Sequence, residues 1–438
     1  MMGLRTFSKG VHPPTFKDLT RSSPIRRLGF APLLAVSLAG HLGRPSRPMV
    51  RIGEEVERGQ KIAEADGFLS VAQHAPASGQ VTKIDQVLDA QGHWQPAVFI
   101  EPFAASQQIL PVHQLVDSQH LDLEQLIHWS QEIGMVGLGG AAFPTHVKIA
   151  SAREGAIHSL IVNGAECEPY LSADHRVMLE QSADVVAGIR LLQRCLGAQR
   201  VLVAVEDNKS DALAQLRQTA GEGTGWEWVP LKTKYPQGAE KLLVRVLLGQ
   251  DLPSGFLPKD LGVLVANVTT LAEMGLLLPI GAGIVERVVT VAGDACLNPG
   301  NYLVPLGTPL GYILDQLGEK PELVVLGGPM MGRPVASGQT VTTKGVTGIL
   351  MFKGLQRPTG GPDPCISCGK CLSACPLDLN PSRLGKLAQA GAWAEMQGKQ
   401  HLFDCFECGA CAYVCPSRIP LPQLFRAAKA ALRKENAS

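Results

Sequence analysis

Residues 365–376 read CISCGKCLSACP, and residues 405–416 read CFECGACAYVCP. Eight of the chain's eleven cysteines fall in these two copies of one pattern, C-x2-C-x2-C-x3-C-P. That spacing wraps [4Fe–4S] clusters. A short loop with three cysteines can turn three thiolates toward one cubane, while the fourth is carried away from it. Structural zinc also takes four cysteines, but it does not account for two full copies with proline in the same place. The chain is expected to carry electrons.

In two-cluster ferredoxins the fourth cysteine of each run ligates the other cluster. This assigns Cys365, Cys368, Cys371 and Cys415 to one cluster, and Cys405, Cys408, Cys411 and Cys375 to the other. Pro376 and Pro416 turn the chain after the fourth ligand, which is expected to open a helix. Gly369 and Gly409 keep the backbone close to the clusters. The linker predicts one helix over 381–397, and the tail predicts another over 421–434 with a basic outer face. Cys167, Cys195 and Cys296 lie far from the motifs, and Cys195 reads as core packing.

A chain of 438 residues has room for two to four domains. Its 47 Gly and 31 Pro accompany 45% hydrophobic residues, which describes a turn-rich globular protein. A net charge of +1 with dispersed basic residues gives no reason for a nucleic acid partner. Residues 1–17 lack the apolar core of a signal peptide. The longest apolar stretch, 271–285, is broken by Glu273 and by glycines and is too short to cross a bilayer. Cluster-spaced cysteines need a reducing compartment, with the cytoplasm as the default.

Residues 134–148 read GMVGLGGAAFPTHVK. Gly134, Gly137, Gly139 and Gly140 let backbone amides approach a phosphate or a flat ring, although a tight turn fits the same composition. Pro144 opens a helix whose N-terminus favours an anion. An apolar strand over 159–162 then ends in Asn163, Gly164, Ala165, Glu166, Cys167, Glu168 and Pro169. Polar residues at the C-terminal end of a strand mark where open α/β sheets bind ligands. A helix near 179–196, a strand over 201–205 and a helix over 209–218 continue the alternation of a Rossmann-like sheet. The polar turn 235–241 and the strand 263–266, followed by Asn267, Val268, Thr269 and Thr270, are candidates to complete the pocket. The two threonines also fit a simple helix cap.

Residues 35–98 hold short β-prone runs and tight turns, which predict a small β-sandwich. The pattern G-x-x-V-x-x-G-x-x-I from Gly53 to Ile62 resembles biotinyl and lipoyl carrier domains. The stretch where those carry their modified lysine, 64–73 here, has no lysine. A structural or docking module without a swinging arm is expected. Strands over 285–291 and 323–326 and a helix over 310–317 predict a β-grasp domain. The adjoining GGPMMG loop, 327–332, suits either a cofactor contact or a bare turn.

Taken together, the chain resembles the C subunit of the Rnf/Rsx ion-translocating electron transport complex over nearly its whole length. The opening FSKGVHPP at 7–14 looks like that family's start. The centre is similar to the NADH- and FMN-binding subunit of respiratory complex I, whose GRGGAGFPTGLK-type loop holds FMN. Gly137, Gly139, Gly140, Ala141, Phe143, Pro144, Thr145 and Lys148 match that loop, with Leu138, Ala142, His146 and Val147 as departures. The NADESEP motif of that group matches at Asn163, Glu166, Glu168 and Pro169, and departs at Gly164, Ala165 and Cys167. Its NVET-like strand end maps to Asn267, Val268, Thr269 and Thr270. The resemblance implies noncovalent FMN on Gly137, Gly139, Gly140, Phe143, Lys148, Asn163, Asn267, Thr269 and Thr270, with Glu166 and Glu168 near the nicotinamide of NADH.

It further implies a peripheral subunit on the cytoplasmic face of a bacterial inner membrane. There the chain would pass a hydride from NADH to FMN, then single electrons to two [4Fe–4S] clusters and on to membrane subunits and the iron–sulfur B subunit. Ferredoxin or flavodoxin is the expected ultimate partner. The rivals are a diaphorase subunit of a soluble hydrogenase or formate dehydrogenase, and a noncatalytic iron–sulfur relay scaffold. The fold expected is multidomain α/β. It comprises a barrel-sandwich module in residues 1–115, a Rossmann-like FMN/NADH domain in 116–282, a β-grasp (SLBB-like) domain in 283–355 and a two-cluster ferredoxin-like helical domain in 356–438.

Overall fold

The computed structural model describes residues 4–106, 108–335, 337–354 and 361–435. The boundary expected between 355 and 356 lies outside the described residues.

Ser159–Gly164, Arg200–Glu206 and Val263–Asn267 are apolar runs buried on both faces, the pattern of strands inside a parallel sheet. With Glu227–Leu231 they form a four-stranded parallel sheet. Its order is 227–231, 200–206, 159–164, 263–267. From 159–164 the chain steps outward twice and then returns to the other flank. The order therefore reverses between 159–164 and 263–267, and in open α/β sheets the crevice beyond such a reversal is where ligands bind. Asn163 and Asn267 are register partners at that edge. The helix expected near 179–196 is two helices, Ala173–Glu180 and Ser182–Leu196. The second packs so closely that a Cβ on Gly188 would lie 2.0 Å from the Leu271 carbonyl oxygen.

Glu286–Ala292 and Gly300–Pro305 form an antiparallel hairpin, followed by the helix Leu310–Leu317. Gly348–Phe352 returns parallel to Glu286–Ala292, the connectivity of a β-grasp. One strand from the front of the chain, Ile25–Arg27, extends this sheet beside Gly300–Pro305. The front module folds as a four-stranded and a three-stranded sheet around Val36, Val50, Val56, Ile62, Val81 and Val98. Ile52, between Val50 and Val56 in sequence, is exposed.

The C-terminal domain packs helices around Leu384, Met396, Leu402, Phe425 and Leu432. Pro381–Gln389 and Trp393–Gly398 replace the single helix expected over 381–397. Gly391, with φ +68°, makes the break. The tail helix runs Leu421–Glu435. Cys375 sits at the end of the short helix Lys370–Ala374, not at the start of one. The two cysteine runs repeat one backbone: Ser367 and Glu407, Gly369 and Gly409, and Asp378 and Arg418 all have positive φ. A Cβ on Gly369 would meet no protein atom, so its conformation, not crowding by the protein, calls for glycine.

Candidate flavin crevice and cysteine rings

The glycine-rich loop closes on itself through Gly137 N–H to Phe143 O (2.8 Å) and Ala142 N–H to Gly137 O (3.1 Å). It reaches the sheet edge where Leu138 N–H donates to Thr270 Oγ1 at 2.9 Å. A Cβ on Gly139 would lie 3.4 Å from Asn267 Nδ2, so the loop lies against the strand end. Gly139, Gly140 and Ala141 are exposed, and their consecutive amides have no acceptor among the described residues. Consecutive free amides make an anion-binding concavity.

Asn267 caps the helix Val268–Leu277 by accepting from Thr269 and Thr270 N–H. Its Nδ2 donates to Asp174 Oδ2 at 2.8 Å, and Thr269 Oγ1 donates to Asp174 Oδ1 at 2.6 Å. Asp174 N–H in turn donates to Glu166 Oε1 at 3.0 Å. Asn163 Nδ2 donates to Gly238 O at 3.0 Å, tying the first strand end to the turn at 235–238. Thus Gly139, Asn163, Glu166, Asn267, Thr269 and Thr270 converge on one crevice. Lys148 stands apart from that network, paired at 2.5 Å with Glu240, and Phe143 is half-buried.

Glu166 is buried, and burial raises its carboxyl to about 7 against the pull of Lys17. Its Oε2 has no hydrogen-bond partner among the described residues. Burial likewise raises Glu168 to about 7, while the amides of Met330 (3.0 Å) and Met331 (2.9 Å) pull the other way. The GGPMMG loop is therefore no bare turn: it holds Glu168. A Cβ on Gly328 would lie 2.3 Å from Glu168 Oε2.

Sequence reasoning missed Asp174 and Lys17. In the sequence Asp174 only leads into the helix expected near 179–196; the structure puts it in the first turn of Ala173–Glu180. Lys17 Nζ donates to the carbonyls of Glu166 (2.8 Å), Glu168 (2.9 Å) and Leu171, and so clamps the strand-end loop from the front of the chain.

The cysteines form two rings. Cys365, Cys368, Cys371 and Cys415 line one cavity with Ser382 and Lys386, and Cys365 and Cys368 are exposed. The second ring is interior. Burial raises the Cys411 thiol, and the neighbouring Cys408, Cys405 and Cys375 raise it further. Burial also pushes Cys408 up to about 12. Among the described residues no three His, Cys, Asp or Glu close on a single-ion site. Two rings of four thiols fit cubanes, and the free amides beside hydroxyl and amide side chains fit a flavin phosphate or ring edge.

The interior ring abuts the crevice. Tyr235 Oη donates to Cys408 O at 2.6 Å. Val11, Tyr235, Cys408 and Ala410 share a small core with Met330 and Cys167. Cys167, distant from the motifs in sequence, is next to them in space.

Three family models match. The RnfC barrel sandwich hybrid domain covers residues 5–104, the Nuo51 FMN-binding domain 130–275 and the 4Fe-4S dicluster domain 362–419. Among curated relatives, the C subunit of the proton-translocating ferredoxin:NAD(+) oxidoreductase complex of Clostridium ljungdahlii is 38% identical, over 92% of this chain and 88% of that one. The C subunit of the ion-translocating oxidoreductase complex of Rhodobacter capsulatus is 37% identical, over 98% and 84%. This chain belongs to the family of C subunits of ion-translocating oxidoreductase complexes.

As such it is an oxidoreductase subunit with an FMN-binding domain and a [4Fe–4S] dicluster domain. Among solved structures, an NAD+-reducing [NiFe]-hydrogenase in the H2-reduced state shares the fold, with TM-score 0.52 and 18% identity over 74% of this chain and 68% of that one. No described helix is long and apolar enough to cross a membrane.

Proposed function

We propose that this chain takes electrons from NADH at the crevice between Asn163 and Asn267 and delivers them, through the interior cysteine ring and then the exposed one, to partner subunits of a membrane complex. When bound, FMN accepts a hydride and releases electrons singly, the form that clusters carry. The protein's part is to hold and orient. The amides of Gly139, Gly140 and Ala141, together with Thr269, Thr270 and Asn163, would hold FMN. Glu166 and Glu168 would face the nicotinamide. The Cys405, Cys408, Cys411 and Cys375 ring would receive electrons first, because it is interior and next to the crevice. The ring of Cys365, Cys368, Cys371 and Cys415, partly exposed, would pass them on.

One observation carries this reading. The turn at 235–238 touches both centres, with Gly238 O on Asn163 and Tyr235 Oη on Cys408 O. The ferredoxin:NAD(+) chemistry named for the relatives supports the NAD(+)/NADH couple as the nucleotide exchanged at the crevice. The lack of a spanning helix among the described residues suits a peripheral subunit, here placed on the cytoplasmic face beside the membrane subunits and the B subunit. Among the relatives, the Clostridium ljungdahlii complex is named for protons and the Acetobacterium woodii complex for Na(+).

The test is an anaerobic NADH titration of the purified chain, followed by optical and electron paramagnetic resonance spectra. Flavin bleaching followed by cluster reduction is expected. A chain that holds zinc in place of iron, or a flavin that NADH leaves oxidised, would refute the proposal. A Glu168→Gln variant is expected to slow NADH oxidation by roughly tenfold with iron content unchanged, because a neutral amide accepts more weakly from the two methionine amides. Unaltered NADH kinetics would remove Glu168 from the site.

A further inference from the structure

Two cations of the β-grasp domain hold the glycine-rich loop from behind. Arg287 lies within the apolar strand Glu286–Ala292 and is 2% exposed. Its Nη2 donates to Leu138 O at 2.6 Å, and its Nη1 donates to the Lys344 carbonyl. Lys344, also 2% exposed, donates from Nζ to Gly134 O at 2.9 Å and to Ala72 O at 3.0 Å. One side chain therefore ties together the β-grasp domain, the glycine-rich loop and the front module.

A buried cation is costly unless it is fully paired, and the usual partner is a carboxylate. Neither of these cations makes an ion pair with the described residues; Asp174 and Glu273 act on Arg287 only at longer range. Their hydrogen bonds go instead to main-chain carbonyls of the loop and its supports. Burial pushes Lys344 down to about 7, yet an amine in either protonation state has hydrogens for both carbonyls.

The consequence is directional. The carbonyls of Gly134 and Leu138 are fixed on the protein side, and the Leu138 amide is taken by Thr270. What the loop leaves open is the row of amides at Gly139, Gly140 and Ala141. Gly140, at φ +108°, and Ala142, at φ +49°, make the turn that exposes them. A loop free to rotate its peptides would present those donors only part of the time, and the apparent affinity falls by the competent fraction.

We infer that Arg287 and Lys344 are positioning residues for the flavin, acting through the carbonyls of Leu138 and Gly134 to aim the amides of Gly139, Gly140 and Ala141 at its phosphate or ring edge. This rests on the reading of the crevice as the FMN site.

The experiment titrates FMN into the whole chain, stripped of flavin under anaerobic conditions, and follows flavin fluorescence. Arg287→Met and Lys344→Met are each expected to weaken FMN binding by about tenfold, with iron content as in the wild type. Arg287→Lys keeps one donor for Leu138 O and is expected to recover part of that loss. Hydrogen exchange at residues 137–143 should rise in both methionine variants before FMN is added. If Arg287→Met loses iron or fails to fold, Lys344→Met decides the matter alone. FMN affinity within twofold of wild type in the folded methionine variants overturns the inference, as does an Arg287→Lys variant no better than Arg287→Met. A wild-type chain that takes up no FMN overturns the crevice reading itself, and this inference with it.

Discussion

Cys375→Ala, a change in the first cysteine run, is expected to destroy the cluster built mainly by the second run. Iron in the anaerobically prepared chain should fall from about eight atoms to about four, as expected for loss of one of two cubanes. The missing paramagnetic signal should be the one that Cys411→Ala also removes, while Cys371→Ala removes the other. The physical ground is the crosswise meeting of the thiols. Cys375 acts on the Cys405, Cys408 and Cys411 thiols, whereas Cys415 acts on Cys371 and shares its cavity with Cys365 and Cys368. NADH should still bleach the flavin in Cys375→Ala, since the crevice is built by other elements. Transfer beyond the flavin should drop by several orders of magnitude, because the interior ring is the one that abuts the crevice through Tyr235. Loss of one and the same signal in Cys375→Ala and Cys371→Ala would show that each run binds its own cluster.

Lys17→Met is expected to cost about 3 kcal/mol of stability and to cut NADH oxidation tenfold or more. Two effects compete. Removing a buried ammonium relieves its desolvation, which is large enough to hold Lys17 below its usual pKa despite Glu166. Against this, the carbonyls of Glu168 and Leu171 lose their donor, and that of Glu166 keeps only Lys209 Nζ at 3.5 Å. Hydrogen bonds to a charged group contribute about 1.5–3 kcal/mol each, so the loss of three such bonds outweighs the relief. Glu166 also loses its ion pair with Lys17 at 4.0 Å, while Lys209 is paired with Glu206 at 2.5 Å. Its carboxyl, already raised by burial, should titrate still higher. Chemical denaturation and NADH kinetics check both parts. Lys17→Arg should recover part of the stability, and a Lys17→Met variant with wild-type kinetics would free the strand-end loop from this clamp.

The elements that local pattern specifies were legible. The parallel strands are continuous apolar runs, the helix Leu310–Leu317 matches its expected span, and the cysteine spacing specifies two cubanes before any coordinate. Misreadings came where one residue breaks a pattern. Gly391 divides a sequence otherwise suited to a single helix, and the step at Gln181 divides another. The candidate site was legible as a set of polar strand ends and glycines. Its internal wiring was not: Asp174, which joins Asn267, Thr269 and Glu166, carries no spacing signature.

The sequence by itself determined the chemistry this chain can host, because cluster ligation and close backbone approach depend on residue type and on separations of a few residues. Only the tertiary structure decided which groups meet. Strand order put Asn163 beside Asn267, a front-segment lysine crossed to the loop after the first strand, and Arg287 and Lys344 reached the glycine loop from another domain. Such contacts join residues more than a hundred positions apart. The lysines and the arginine bond main-chain carbonyls, which every residue possesses, so no side-chain pattern announces them.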